Sequence, residues 1–280
     1  MSAAVSRGSA VVTVVTAVHA PSARFLPEAY RSLCAQRLPD GWRWQWLVQE
    51  DGYGDEVRPY LPDDARVSFR QGRTGGPGVA RTLALARAEG PYVRVLDADD
   101  QLTPGALARD LAVLETHPAI GWTTSRVLDL LPDGSTAGFP GDPAEGPIER
   151  GTVLGSWTAN DFRAPVHPAS LFVRRELLLA LGGWMALPAS EDTGLLLALN
   201  AVSRGWFTAE AGMLYRKWPG QVTGLPAHTD PAERQARMSV VAARARALAH
   251  LDWRAPAPAP QVHDHPQVHD HTAPREHRPV

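Results

Sequence analysis

Three carboxylates crowd the segment Leu96-Asp97-Ala98-Asp99-Asp100, at the end of the short apolar run Tyr92 to Leu96. Side chains this close repel one another unless a cation lies among them. Hard oxygen ligands of this kind suit Mg²⁺ or Mn²⁺, which commonly bridge a few carboxylates to substrate phosphates. Acids here also favour the dipole of a helix starting behind them, and Asp100 can serve that end alone. A second acid pair, Glu50-Asp51, closes Trp46-Leu47-Val48-Gln49 and precedes Gly52. Such an acid either accepts hydrogen bonds from a nucleobase imide or ribose or only shapes the turn. Third is Gly72-Arg73-Thr74-Gly75-Gly76-Pro77-Gly78, leading toward Arg81. Glycines let backbone approach a ligand closely, and a helix start attracts anions. Arg81 adds a planar fork for phosphate or base. No Gly-Lys-Ser/Thr follows, so this is no Walker loop. Fourth is Ser190-Glu191-Asp192, where one carboxylate could take a proton from an acceptor hydroxyl or simply cap a helix.

The elements that must position these groups read as an α/β fold. Short apolar runs alternate with helical patterns through the first half, as in a parallel βαβ sheet. Strands are expected at Ala10 to Val18, Trp42 to Val48, Arg66 to Phe69 and Tyr92 to Leu96. Helices are expected at Pro27 to Gln36, at Gly78 to Ala88, and from Thr103-Pro104 to about Thr116. Thr103 is the expected N-cap there, with Pro104 at the first helical position. In an open parallel sheet ligands sit beyond the carboxyl ends of the strands, where both acid pairs fall. The second half is less regular. Ile120 to Leu130, Ser170 to Val173 and Trp206 to Tyr215 read as strands, and Gly138 to Gly151 as a long loop. Arg174 to Leu181, Glu191 to Ser203 with Ser190 as N-cap, and Pro231 to Leu251 read as helices. From Ala255 onward, Pro and polar residues cannot bury enough surface to offset ordering entropy, so a disordered tail is expected. Its two His-Asp-His triplets could bind a transition metal weakly.

Composition narrows the function classes. The 280 residues are 44% hydrophobic and 21% charged, enough to bury a core, and the formal net charge is -2. That balance gives no electrostatic reason to expect nucleic acid as the main partner. Lys217 is the only lysine. Cys34 is the only cysteine, which precludes an internal disulfide and fits a reducing cytoplasm; a small buried side chain is its expected role. The N-terminal run Ala10 to Val18 mimics a secretion signal, but its dense β-branched valines favour a buried first strand. No apolar run reaches the ~18–20 residues needed to cross a bilayer, and peripheral membrane association stays open.

Taken together these segments resemble the family-2 inverting glycosyltransferases over roughly Val11 to Thr223. Thr16-Ala17-Val18-His19-Ala20-Pro21 is similar to that family's nucleotide edge, with His19 where Tyr is common. Leu47 to Gly52 resembles its hydrophobic-Asp-Asp-Gly segment, with Glu50 replacing one Asp. Ala80-Arg81-Thr82-Leu83-Ala84 resembles Ala-Arg-Asn-x-Gly, and Tyr92 to Asp100 its Tyr-hydrophobic-Leu-Asp-Ala-Asp-Asp. His167 to Phe172 and Gly182-Gly183-Trp184 resemble the stretch before its Glu-Asp motif, which Glu191-Asp192 match. Tyr215-Arg216 resemble the start of its late basic element, and Trp218 falls where many relatives have a His.

The resemblance implies a GT-A, Rossmann-like fold: a mixed, mostly parallel sheet flanked by helices. It implies a flexible stretch 1–9, a nucleotide-sugar half over 10–118, an acceptor half over 119–225, a C-terminal helix over 226–253 and a tail over 254–280. It implies a nucleotide-sugar donor, UDP-sugar first, and a hydroxyl acceptor. Thr16, Val18, His19, Asp51, Gly78, Arg81, Asp97, Ala98 and Asp99 would line the donor. Asp99 and Asp97 would hold Mg²⁺ or Mn²⁺, Arg216 and His167 would face the diphosphate or acceptor, and Asp192, with Glu191 as alternate, would be the catalytic base. Two other readings share the fold class. A sugar-1-phosphate nucleotidyltransferase would carry a basic phosphate-activating cluster after its first strand, and none is present there. A non-catalytic nucleotide-sugar-binding protein would not need Asp97, Asp99 and Glu191-Asp192 intact.

Overall fold

The computed structural model describes residues 10–221 and 230–250. The expected flexible stretch 1–9 and tail 254–280 lie outside the described residues.

The β-branched run Ala10–Val18 forms β1, buried along nearly its whole length. It pairs in parallel with β2, Trp42–Glu50, over nine residues, and with β4, Tyr92–Val95. β3, Val67–Arg70, pairs in parallel with β2 and forms one edge. The described strands make one sheet of order β3-β2-β1-β4-β9-β6-β10-β5. Here β5 is Gln101–Leu102, β6 Ile120–Leu130, β9 Phe172–Arg174 and β10 Arg204–Arg216. The sheet is mixed. β6 and β10 are parallel, whereas β9 runs antiparallel to both β4 and β6, and β5 antiparallel to β10. Placed between β4 and β6, β9 joins the two halves of the chain into one sheet.

Because side chains alternate across a strand, β1 feeds two cores. Val12, Val14 and Val18 pack with Trp44, Trp46 and Leu96 under α1 (Leu26–Cys34) and α3 (Ala106–Thr116). Val15, with Leu47, Val93 and Val95, packs on the other face under α2 (Pro77–Ala84), α4 (Thr152–Ala159), α5 (Arg175–Ala180) and α6 (Glu191–Val202). The final helix α7, Pro231–His250, lays Met238, Val241, Ala242 and Ala245 into that same core.

Several expectations change. Thr103 and Pro104 do not start α3. Its N-cap position is Gly105, at φ 76°, and the Thr103 hydroxyl donates instead to the carbonyl of Ala211 on β10. Tertiary pairing with β10 outcompeted the local capping bond. Ser190 occupies the N-cap position of α6 but sits at φ 64° and makes no capping bond; Asp192 Oδ1 accepts from the Thr193 amide at 2.6 Å instead. The loop Gly138 to Gly151 includes the end of β7, Thr136–Gly138, and contains β8, Gly146–Ile148, which pairs antiparallel with β10. Pro168–Ser170 is a 3-10 turn rather than the start of a strand, and the helix from Pro77 tightens into a 3-10 turn at Leu85–Arg87. Cys34 is exposed, not buried. It lies ~100° around α1 from the buried Leu33.

Candidate active site

The strand order 3-2-1-4 around β1 reverses direction between β1 and β4, since one crossover leads from β1 to β2 and a later one returns to β4. Such a switch point leaves a crevice at the carboxyl ends of the strands. His19 follows β1, Asp51 follows β2, and Asp97 to Asp100 follow β4, so their order in the sheet gathers them there.

Arg81 ties this group to the second half of the chain. Its guanidinium donates through Nη2 to Asp97 Oδ1 at 2.5 Å and through Nη1 to Glu191 Oε1 at 2.7 Å. Burial opposes the Arg81 charge, but Asp97 and Glu191 more than offset it and hold the group firmly protonated. A strand-end acid and a helix-start acid separated by 94 residues therefore share one cation. Gly78 makes the approach possible. A Cβ there would lie 2.4 Å from the Met185 carbonyl and 3.0 Å from the Glu191 side chain. Its place is thus the packing of α2 against the Glu191 segment.

The acids feel a concentrated negative potential. Burial, then the charges of Asp97 and Asp99, push Asp100 well above the usual carboxylate range. Burial also raises Asp99, against the hydrogen bond it accepts from Trp218. Tyr215 is raised by burial and then by Asp100, Asp97, Asp99 and Asp192. Asp100 does not serve a helix dipole. It is buried, and its Oδ1 accepts the Arg216 amide at 2.9 Å, strapping the β4 loop to the end of β10.

This is the environment a divalent cation would relieve. Arg81 engages Oδ1 of Asp97 and Trp218 engages Oδ2 of Asp99. Among the described residues no cluster of three or more His, Cys, Asp or Glu side chains is placed to hold a metal ion. The indole of Trp218 is a donor only and cannot add a ligand. The two carboxylates, each with one oxygen so engaged, offer a hard cation a partial set of oxygen donors.

The other expected residues occupy distinct places. Thr16 is a buried strut, donating to the Leu96 carbonyl at 2.6 Å and accepting from Trp46 Nε1 at 2.8 Å. Val18 and Ala98 are packed into the core under α1. His19 hydrogen-bonds Ser22 through Nδ1; burial lowers its pKa, opposed by Asp99 and Asp51. Asp51 Oδ1 accepts from the amides of Gly75 and Gly76 at 2.6 and 3.0 Å, so it fastens the glycine-rich loop. The Arg216 guanidinium donates to the Asp99 carbonyl at 2.8 Å, pairs with Glu28 and lies over the Phe25 ring. His167 accepts the Ala169 amide through Nδ1 and packs on Tyr215, and burial lowers its pKa. Asp192 keeps partial exposure, while burial raises its pKa first and Arg81 counters. Sequence reasoning missed Glu28, which accepts from both Arg216 and Gln101. An acid in the first turn of α1 has no local signature to separate it from any other helix-start acid.

Residues 12–136 match the model of glycosyl transferase family 2. An uncharacterized glycosyltransferase of Methanocaldococcus jannaschii is 27% identical over 127 residues, 43% of this chain and 40% of that protein. The poly(ribitol-phosphate) beta-N-acetylglucosaminyltransferase TarS of Staphylococcus aureus is 28% identical over 101 residues, 34% of this chain and 18% of TarS. An uncharacterized Sinorhizobium fredii protein is 31% identical over 115 residues, 39% of this chain and 12% of that protein. The chain thus matches well under half the length of these relatives. The crystal structure of S. aureus TarS 1-349 in complex with UDP-GlcNAc superposes with a TM-score of 0.62 at 17% identity, covering 86% of this chain and 71% of that one. At that identity the likeness is one of fold.

Proposed function

We propose that this chain, whose residues 12–136 match the model of glycosyl transferase family 2, moves a sugar from a nucleoside-diphosphate sugar to an acceptor hydroxyl with inversion at the anomeric carbon. The observation that carries this reading is the Arg81 bridge, which brings the Asp97-Ala98-Asp99 strand end and the Glu191-Asp192 helix start to one crevice. That closeness supports reading the first as a diphosphate site and the second as a proton acceptor for one substrate. A UDP-sugar is the favoured donor, because the TarS fold matched here was crystallised with UDP-GlcNAc.

In this mechanism residues 10–118 bind the donor and residues 119–225 the acceptor. His19 and Asp51 flank the base and ribose, with Asp51 exchanging its Gly75 and Gly76 amides for substrate donors. Asp97 and Asp99 are the residues that would hold Mg²⁺ or Mn²⁺, and such a cation would supply positive charge for the departing diphosphate. Arg216, already turned toward Asp99, supports the same charge. Asp192, its pKa raised by burial, takes the proton from the acceptor hydroxyl as the oxygen attacks from the face opposite the leaving group. No covalent intermediate is needed, hence no protein nucleophile. Glu191 keeps Arg81 in place and braces the acceptor side. Among the described residues no helix is long and apolar enough to cross a membrane. A cytoplasmic site of action, with peripheral membrane association open, suits the lone cysteine.

The test is a thermal-shift screen of UDP-, GDP- and dTDP-sugars with and without Mn²⁺, followed by donor turnover. A donor at 100 times its dissociation constant should stabilise the fold by about 2.7 kcal/mol. Release of nucleoside diphosphate supports the proposal. Release of pyrophosphate would indicate nucleotidyl transfer, and tight binding without turnover a binding protein.

A further inference from the structure

The 3-10 turn Ala20–Phe25 carries the chain from the end of β1 into α1. Ser22 fixes the start of the turn: its amide and its hydroxyl both donate to the His19 carbonyl at 3.0 Å. Ala23 and Leu26 are wholly buried in the core under α1. With these two turned inward, Arg24 is left exposed.

Its guanidinium is held by aromatic faces and not by acids. The Arg24 guanidinium carbon lies 4.8 Å from the ring centroid of Phe25 and 4.8 Å from that of Trp218. Trp218 follows the end of β10 and donates its indole Nε1–H to Asp99 Oδ2 at 2.6 Å. One indole ring therefore separates Arg24 from a carboxylate of the Asp97-Ala98-Asp99 strand end. Stacking uses the face of a guanidinium and leaves its N–H donors in the ring plane, open to a ligand. Among the described residues Arg24 has these ring contacts and no ion pair. The other arginines of the crevice are committed. Arg81 is divided between Asp97 and Glu191, and Arg216 pairs with Glu28 while lying over the same Phe25 ring at 4.6 Å. Two guanidiniums thus share one phenyl ring, and a carboxylate answers only one of them.

We propose that Arg24 is a further donor-binding residue, its N–H edge meeting the diphosphate of the nucleotide sugar. The assignment rests on the glycosyl-transfer reading above. A diphosphate supplies the anionic partner that Arg24 lacks, and its oxygens match the paired N–H donors of a guanidinium. The stack on Trp218 presets the side chain, so less rotamer freedom is lost on binding than from a free arginine. The turn follows β1, on the side of the crevice assigned to the donor, so the anion is the donor's and not a group on the acceptor. Arg24 supplies its charge from the protein itself, and its share of diphosphate affinity does not depend on a cation.

Calorimetry of the full chain with UDP and with uridine, in Mn²⁺ and in EDTA, tests the proposal; GDP or dTDP with its nucleoside replaces them if the donor screen selects it. Arg24→Met keeps an unbranched stem over Trp218 and removes the charge. It should weaken UDP binding roughly tenfold, the value of one charge-assisted hydrogen bond, by the same factor in Mn²⁺ and in EDTA. Uridine, which has no phosphate, should bind unchanged, and Arg24→Lys should recover part of the UDP affinity. A loss confined to Mn²⁺ would mean that Arg24 only positions Trp218 beside Asp99, and would overturn the proposal. Unchanged UDP affinity, or an equal loss for UDP and uridine, would overturn it too. In each of these cases a wild-type chain that binds UDP and releases it from a UDP-sugar leaves the glycosyl-transfer reading standing. A wild-type chain that binds none of UDP, GDP and dTDP overturns both.

Discussion

The indole Nε1–H of Trp218 donates to Oδ2 of Asp99 at 2.6 Å. The ring is held from the side by Phe25, at 5.2 Å between centroids, and by the Arg24 guanidinium at 4.8 Å. One oxygen of a carboxylate suited to a cation is thus occupied by a donor that cannot itself ligate.

Trp218→Phe should therefore strengthen cation binding. It keeps a ring against Phe25 but removes the competing hydrogen bond to a charged group, worth ~1.5–3 kcal/mol. Mn²⁺ affinity, read by electron paramagnetic resonance, should rise about tenfold, and further in Trp218→His, which adds an imidazole ligand. Equal affinity in all three proteins would show that Trp218 does not compete.

Asp99→Asn should abolish transfer and the cation-induced part of donor affinity, leaving the cation-independent part. Donor calorimetry with Mn²⁺ and with EDTA separates the two. An Asp99→Asn protein fully active in EDTA refutes the role assigned to Asp99.

The two acids at the start of α6 should behave differently. General-base catalysis contributes roughly 10²–10⁴-fold, so Asp192→Asn should lose that much turnover with donor affinity nearly intact. Glu191→Gln should act through Arg81, raising both donor and acceptor Michaelis constants, because Arg81 also holds Asp97. A base at Asp192 would work as the carboxylate, and burial raises the Asp192 pKa. Turnover should therefore fall as pH drops through a value above the ordinary carboxylate range, and Asp192→Asn should lose that limb. A wild-type limb retained in Asp192→Asn would place the base elsewhere.

Stability has its own weak point in Arg94 and Asp110, a wholly buried pair at 2.8 Å. Asp110 also accepts from Thr123 at 2.7 Å, which ties α3 to β6. Asp110→Ala leaves the Arg94 charge uncompensated and should cost about 3–5 kcal/mol in urea unfolding. Replacing both with apolar residues of similar size, Arg94→Met with Asp110→Leu, should cost far less. Equal losses in the two proteins would show that packing, not charge, dominates there.

The sequence by itself determined the parallel strands β1 to β4, though not the short strands β5, β7 and β8 or the start of β9. The valines of β1 and the alternating tryptophans of β2 are local patterns, and Asp51 and Asp97 to Asp99 follow such runs directly. The Glu191-Asp192 pair was readable as a helix start for the same reason. The partners of these groups were not readable, because they are set by which strands lie side by side. Thr103 gave up its cap for β10, Asp100 was claimed by the Arg216 amide, and Arg81 was divided between Asp97 and Glu191. Glu28 reached Arg216 across 188 residues, and Arg87 reached Gln49 only once the turn after α2 folded over β2. Local propensity places a side chain on its element. The buried contacts that fix its charge and its hydrogen bonds form only when the sheet brings distant elements together.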